Sequence, residues 1–355
     1  MALARWQASI LNQAGDIQPA AQITVTHEAA GSPLATLYAD RDGDVPLGNP
    51  FFADSGGYAF FHAAGGAYRI VATLGSFTRT WRYVAVGTAA ESDFILGLPE
   101  PLTADRTYYV RTDGSDANTG LANTSGGAFL TIQRAMDIIA ASLDLGPYNV
   151  TVQIGNGTYA GGLVLKTYRA TSGVVRFTGN TGSPSSCVIS SMGEGIETAA
   201  GIFAHFNLSG LKLTAASRGI IVDGRGASVN MSSIDFGTTH THALARYGAR
   251  LTLTGTNYVS GNATVGFWAS RQGLLYASGS TLHYLSGVAY SARNFNASEA
   301  GWLDCFSMTF AGSAASVTGK RYEIAGLGGV FTNGGGANYI PGNSAGSVAT
   351  GGVYY

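Results

Sequence analysis

From residue 150 onward, short apolar-rich segments recur at a nearly constant interval, and each ends at a small residue. They are Val150-Thr-Val-Gln-Ile-Gly155, Val174-Val-Arg-Phe-Thr-Gly179, Phe206-Asn-Leu-Ser-Gly210, Val229-Asn-Met-Ser-Ser233, Leu251-Thr-Leu-Thr-Gly255 and Leu275-Tyr-Ala-Ser-Gly279. Their last residues are 24, 31, 23, 22 and 24 positions apart. A period of this size marks a solenoid, in which a repeat buries its apolar face only by stacking on its neighbours. The segments alternate at period two and are too short for helices. Each repeat therefore reads as one coil of a parallel β-helix, with rungs about 4.8 Å apart. A propeller blade needs about 40 residues and does not fit, which leaves a long sandwich as the competitor.

An open solenoid end exposes an unpaired rung, so something should cover it. The one good helix signal, Thr131 to Asp144, stands just before the first coil. Ile132, Ala135, Met136, Ile139 and Leu143 form its apolar stripe. The expected role is a cap over the first rung. Residues 1–98 read as a separate small β-sandwich, with alternating strands at Ile23–Thr26, Ala35–Tyr38, Tyr58–Phe61, Tyr68–Ala72 and Thr80–Val86. Asp40-Arg-Asp-Gly-Asp44 and Asp54-Ser-Gly-Gly57 punctuate them as turns, and the acids around Gly43 fill too few positions for a calcium loop. The linker is expected at Leu96–Thr103. The expected fold is all-β: a sandwich at 1–98, a right-handed parallel β-helix at 99–320 with its capping helix at 131–144, and a glycine-rich C-terminal segment at 321–355.

Composition narrows the partners. Charged residues make up 12% of the chain, against about 25% in a typical soluble protein. Aromatics reach 11%, and low charge with many aromatics excludes disorder. The 51 glycines lack the period of collagen. A net charge of −1 gives no reason to expect nucleic acid, and the short apolar runs give none to expect membrane insertion. The N-terminus lacks the apolar core of a secretory signal, so synthesis in a cytosol is expected. The two cysteines, Cys187 and Cys305, fit neither a zinc site nor a disulfide framework.

Tyr108-Tyr-Val-Arg-Thr-Asp-Gly-Ser-Asp-Ala-Asn-Thr-Gly120, followed by Ala128-Phe-Leu-Thr-Ile-Gln-Arg-Ala-Met-Asp137, resembles the opening of the pectate-lyase-like β-helices of bacteriophage tailspikes and tail fibres. The stretches Gly334–Gly346 and Gly351–Tyr355 resemble the glycine-rich terminus of phage and prophage tail proteins. The resemblance spans roughly 105–355, with the coils matching by period alone. It implies a homotrimer on a virion, made in the host bacterial cytoplasm. The N-terminal part would dock to other tail or baseplate proteins, and the β-helix would face a host-surface polysaccharide. Low charge and many aromatics suit interfaces between identical chains.

Glycoside hydrolysis needs two carboxyls about 5 to 9.5 Å apart. Asp113 and Asp116 read as turn residues before the helix. The coil acids are Glu194, Glu197, Asp223, Asp235, Glu299, Asp304 and Glu323. Carried forward one rung by the small-residue landmarks, Asp235 falls opposite Asn257 and Asp223 near Ala245 and Arg246. Neither meets an acid, so binding is expected rather than catalysis. Glu194 and Glu197 lie in the longest repeat, where extra loop is available. A better-defined series is Arg225, Arg246, Arg271 and Arg293, spaced 21, 25 and 22 residues apart. Stacked on successive rungs, they would form a basic ladder for an anionic polysaccharide, with Tyr247, Trp268 and Tyr276 packing against sugar rings. Like charges so close need neutralising, and the alternative is that Asp223 and Asp235 pair with two of them. Of the six histidines (His27, His62, His205, His240, His242 and His283), His240 and His242 form one close pair, but neither has an acid or cysteine at ligand spacing. No metal or other cofactor is expected. The expected function is glycan binding by a trimeric tail protein, with a polysaccharide-cleaving tailspike and a purely structural tail part as alternatives.

Overall fold

The computed structural model describes residues 3–28, 33–87 and 99–355, and the chain divides into two units, Met1–Leu98 and Pro99–Tyr355. The first residues of the expected linker, 96–98, lie outside the described residues.

The N-terminal unit is built from two small antiparallel sheets. Ala4–Ser9, Tyr58–Ala63, Leu37–Tyr38 and Pro46–Leu47 form one; Phe51–Phe52, Gln22–His27, Gly66–Leu74 and Phe77–Val86 form the other. Alternation in Gln22–His27 and Tyr58–Ala63 turns Ile23, Val25, Ala59 and Phe61 inward, and the buried set fits a β-sandwich core. Asp40 folds back on its own loop, accepting from Val45 N at 2.8 Å and Asp44 N at 3.0 Å. Asp54 does the same for Gly56 and Tyr58. Both acids are turn residues.

The second unit is a parallel β-helix of about eight turns. Its first sheet runs from Arg106–Val110 through ten strands to Val353–Tyr354, and its third sheet stacks eight strands from Leu163–Leu165 to Ser347–Val348. A second sheet lies between them in each coil, from Gly157–Ala160 to Thr309–Gly312. The inward column Phe206, Val229, Leu251, Leu275, Leu303 and Val330 descends the first sheet rung by rung, and all six are fully buried. The small-residue landmarks mark the corner between the first and second sheets. Gly210, Ser233, Gly255 and Gly279 have φ of 68, 52, 58 and 67°, the left-handed region that bulky side chains avoid.

Residues 321–355 continue the solenoid rather than forming a separate segment. Glu323 pairs with Ser347, and Gly329 with Val353, in parallel register. The helix spans Ile132–Ser142, two residues shorter at its C-terminus than the apolar stripe predicted, because Leu143 begins a strand against Glu100. Thr131 caps it, accepting from Arg134 N at 3.2 Å. Ile132, Ala135, Met136 and Ile139 join the apolar core under the first coil, as the capping role requires. Among the described residues no helix is long and apolar enough to cross a membrane.

Candidate functional site

The arginine series maps onto the corner between the third and first sheets. At five successive coils this corner is a type I′ turn, with positive φ at both central residues: Tyr247-Gly248, Arg271-Gln272, Glu299-Ala300, Gly326-Leu327 and Thr350-Gly351. Each closes with a short-range bond, such as Ala249 N to Arg246 O at 3.1 Å and Gly273 N to Ser270 O at 2.8 Å. Successive turns also bond to one another, Gly248 N to Arg271 O at 3.2 Å and Gln272 N to Glu299 O at 3.1 Å. A non-glycine residue in this region costs about 1 kcal/mol or more, so the stacked bonds and packing must hold the corner in place.

Three of the four arginines meet there. Asp223, Arg246, Ser270 and Ser298 occupy one register position on successive rungs. Arg246 Nη2 lies 2.8 Å from Asp223 Oδ2, and Nε donates to the same carboxylate at 3.0 Å. One residue beyond Ser270, Arg271 pairs with Glu299 at 2.7 Å and donates to the Tyr247 hydroxyl. Its guanidinium also stacks 4.9 Å from the Tyr247 ring centroid. Arg225 reaches across Gly248 to Gln272 Oε1 at 3.2 Å. The corner is thus not a bare basic ladder: Arg246 and Arg271, on neighbouring rungs, are flanked above and below by the acids that pair with them, Asp223 and Glu299, and share the Tyr247 ring.

Arg293 does not belong to it. It sits toward the other end of Ala289–Ser298, opposite Val265 and Lys320, and pairs with Glu323 at 2.6 Å. The corner position of its coil is Ser298, 28 residues after Ser270, so Arg293 falls near the repeat interval without reaching the corner. Trp268 stands on the third sheet between Leu244 and Asn296, with its indole N–H donating to Ser298 Oγ at 3.1 Å. Tyr276 lies on the outer face of the first sheet instead, with Arg250 stacked 4.3 Å from its ring centroid.

That outer face holds a surface the sequence spacing did not isolate. One outward column runs Asn230, Thr252, Tyr276, Asp304, Phe331, and its neighbour runs Ser228, Arg250, Leu274, Trp302, Gly329. A Cβ on Gly329 would stand 2.5 Å from Trp302 Cζ3. The missing side chain lets the indole lie against the sheet while 42% of Trp302 stays exposed. Leu274, Tyr276, Trp302, Asp304 and Phe331 line a cleft of about 260 Å³. Asp304 accepts from Phe306 N at 3.0 Å and, among the described residues, makes no ion pair. A signal existed in the alternation of Trp302-Leu-Asp304, but which face was outward required the register.

Five of the seven coil acids are held in ion pairs. Glu194 pairs with Arg218 and also accepts from Ser217 Oγ and Arg218 N. Asp235 is buried 3.3 Å from Lys212, opposite Tyr258 rather than Asn257. The rung below carries one more residue between its paired positions (Leu253 to Tyr258, against Met231 to Asp235), which shifts the alignment. Glu323 is held by Arg293 and Lys320. Glu197 makes no ion pair among the described residues and stands on the third sheet opposite Ile221. In the lead-in, Asp113 pairs with Arg111, while Asp116 accepts from Leu130 N, Thr131 N and Thr131 Oγ1.

His242 is fully buried with Nδ1 3.1 Å from Thr239 Oγ1, while His240 is exposed beside Thr241. No group of three potential metal ligands occurs among the described residues. Both cysteines are free and buried, and burial pushes the Cys187 thiol up to about 12. Comparison with protein-family models, with curated proteins and with solved structures returned no match.

Proposed function

We propose that this chain is a phage tail fibre or tailspike protein that binds a host-surface glycan as a trimer. The observation that carries the binding part is Trp302, lying against the sheet with an exposed face beside Tyr276, Phe331 and the Asp304 carboxylate. A pyranose offers an apolar C–H face to such a ring and hydroxyls to such a carboxylate. Aromatic walls with a few polar groups are what ligand clefts are made of. The Arg271–Tyr247 corner borders the same face, since its turn leads directly into Leu274. The virion setting and the trimer rest on the likeness of the lead-in at Tyr108–Asp137 to phage β-helices. Three weak sites on one trimer would adhere tightly through effective concentration.

Five of the seven coil acids are ion-paired, and a carboxylate held by an arginine or lysine is a poor acid or nucleophile. Among the described residues the unpaired Asp304 is the one acid lining its cleft, which favours binding over cleavage. Incubating the full chain with host-surface polysaccharide and following both by sizing chromatography tests the reading. The expected result is co-elution with polymer of unchanged length, lost in Trp302→Ala. Progressive shortening would make the protein a depolymerase. Failure to co-elute, with the protein folded and trimeric, would leave a structural tail part.

A further inference from the structure

A second cleft, built from different groups, opens higher on the outer face of the first sheet. The column Arg176, Asn207, Asn230, Thr252 descends four successive rungs. Thr178, Ser209 and Ser232 flank it on one side, and His205, Ser228 and Arg250 on the other. Between Arg176 and Thr254 lies a cleft of about 280 Å³. Its side-chain polar groups are guanidinium, amide and hydroxyl, with no carboxylate among them.

The charges here differ from those at the corner. Arg246, Arg271 and Arg293 are each held by an acid, whereas Arg176 and Arg250 have no acidic partner among the described residues. His205 stands between these two cations. Its Nδ1 lies 3.1 Å from Ser228 Oγ and its Nε2 3.3 Å from Asn230 Nδ2. Burial holds the imidazole below its ordinary pKa, and Arg250 and Arg176 lower it further, so both cations act on it. Asn207 Oδ1 and Thr252 Oγ1 are buried without a partner. An unsatisfied buried polar atom costs about 1–3 kcal/mol, and a ligand that supplied the missing hydrogen bonds would offset it.

We propose that this cleft seats an oxyanion-bearing sugar of the bound glycan, its anionic group on Arg176 and a hydroxyl donating to Asn207 Oδ1, with Arg250, three rungs below Arg176 and stacked on Tyr276, adding to the positive field. The inference rests on the glycan-binding reading and adds that the glycan is acidic. An arginine fork matches carboxylate and phosphate alike. The arrangement would place the charged sugar several rungs from the neutral ring stacked on Trp302, so that a single chain could span both along the sheet.

The test titrates the full chain with glucuronate, glucose 6-phosphate and glucose, following the His205 imidazole resonances by NMR, assigned by their loss in His205→Gln. A saturable shift with either acid and none with glucose is expected. Glucuronate acting alone identifies a carboxylate, and glucose 6-phosphate acting alone a phosphate. In Arg176→Gln/Arg250→Gln, with melting temperature as the folding control, affinity should fall by about tenfold or more. Absence of a saturable shift with both acids, an equal response to glucose, or undiminished affinity in the folded double variant would overturn the seat. Polymer that still co-elutes in that event leaves the glycan reading standing. Acids that bind when polymer does not would sink that reading and keep the seat.

Discussion

Asp223 and Arg246 stand one rung apart at the same register position, with the carboxylate of one bridged by two nitrogens of the other. Arg271 and Glu299 repeat the relationship further down, in reversed order. A parallel solenoid places like positions about 4.8 Å apart, so any repeated charge meets its own kind. At this corner the two neighbouring arginines, Arg246 and Arg271, are neutralised from either side, by Asp223 above and Glu299 below, and stack on the Tyr247 ring between them. The side chains of Arg246 and Asp223 are 29% and 25% exposed, which leaves the pair screened but not solvated away. Arg246→Gln should therefore lower stability by about 1 kcal/mol. Asp223→Asn added to it should cost little more, because the partner is already gone. Urea unfolding of the four proteins of this cycle measures the coupling; additive losses would mean that the pair contributes nothing.

At four of the five corner turns a glycine follows, Ala249 taking that place at the first. Gly273, Gly301, Gly328 and Gly352 come directly after the two left-handed residues, and a Cβ there would run into the rung before. At Gly301 it would sit 2.2 Å from Ala269 O and 2.3 Å from Ala269 C. Both atoms are backbone in the core of the ladder, so neither can move aside cheaply. Gly301→Ala should cost about 3 kcal/mol, as overpacking does. Gly126→Ala, with nothing within 4 Å, is the neutral control. Equal melting temperatures for the two variants would contradict the close approach.

The same glycines explain what could be read in advance. The coils between residues 150 and 279 are visible because each first-sheet strand is followed by a small residue, and at Gly210, Ser233, Gly255 and Gly279 the positive φ favours one. Below that the first-sheet strands, Trp302–Asp304 and Gly329–Phe331, stay as short as Leu274–Tyr276 while the interval between rungs lengthens to 28 and 27 residues. The period persists there in Gly301, Gly328 and Gly352 and in the inward residues Leu303 and Val330. Landmark alignment brings Asp223 near Ala245 and Arg246, and the register sets it opposite Arg246. It misses Asp235 by one position because the next coil carries an extra residue, and it takes Arg293 for a corner residue because the coil from Ser270 to Ser298 is 28 residues long, which leaves Arg293 five residues short of the corner. The Trp302 platform was hidden for another reason. It depends on Gly329 in the following rung, a relationship between residues 27 positions apart that only the register reveals.

Asp116 ties the lead-in to the capping helix. One of its oxygens accepts from Leu130 N and Thr131 N, both at 2.9 Å, and the other from Thr131 Oγ1 at 2.8 Å. Thr131 in turn caps the helix, so the acid orients the residue that starts it. Asp116→Ala removes three charge-assisted bonds and should cost about 2–3 kcal/mol. Faster amide exchange in Ile132–Ser142 should accompany the loss. Unchanged exchange there would show that packing of Ile132, Met136 and Ile139 alone holds the cap.

His242 makes stability depend on acid. Its ring is enclosed by Phe236, Phe267 and Tyr290, and burial pulls its pKa down to about 3 from 6.5. The unfolded chain takes up this proton near pH 6.5 and the folded chain does not until near pH 3. The stabilising contribution is thus complete above about pH 6.5 and declines steadily below it, by about 1.4 kcal/mol per pH unit. From about pH 7.5 to about pH 5 the histidine should cost about 2 kcal/mol. His242→Gln carries no proton to gain and can still bond Thr239, so its stability should fall by that much less over the same range. Urea unfolding of both proteins at the two pH values isolates the difference. Parallel losses would mean that His242 is protonated in the fold, against its apolar surroundings.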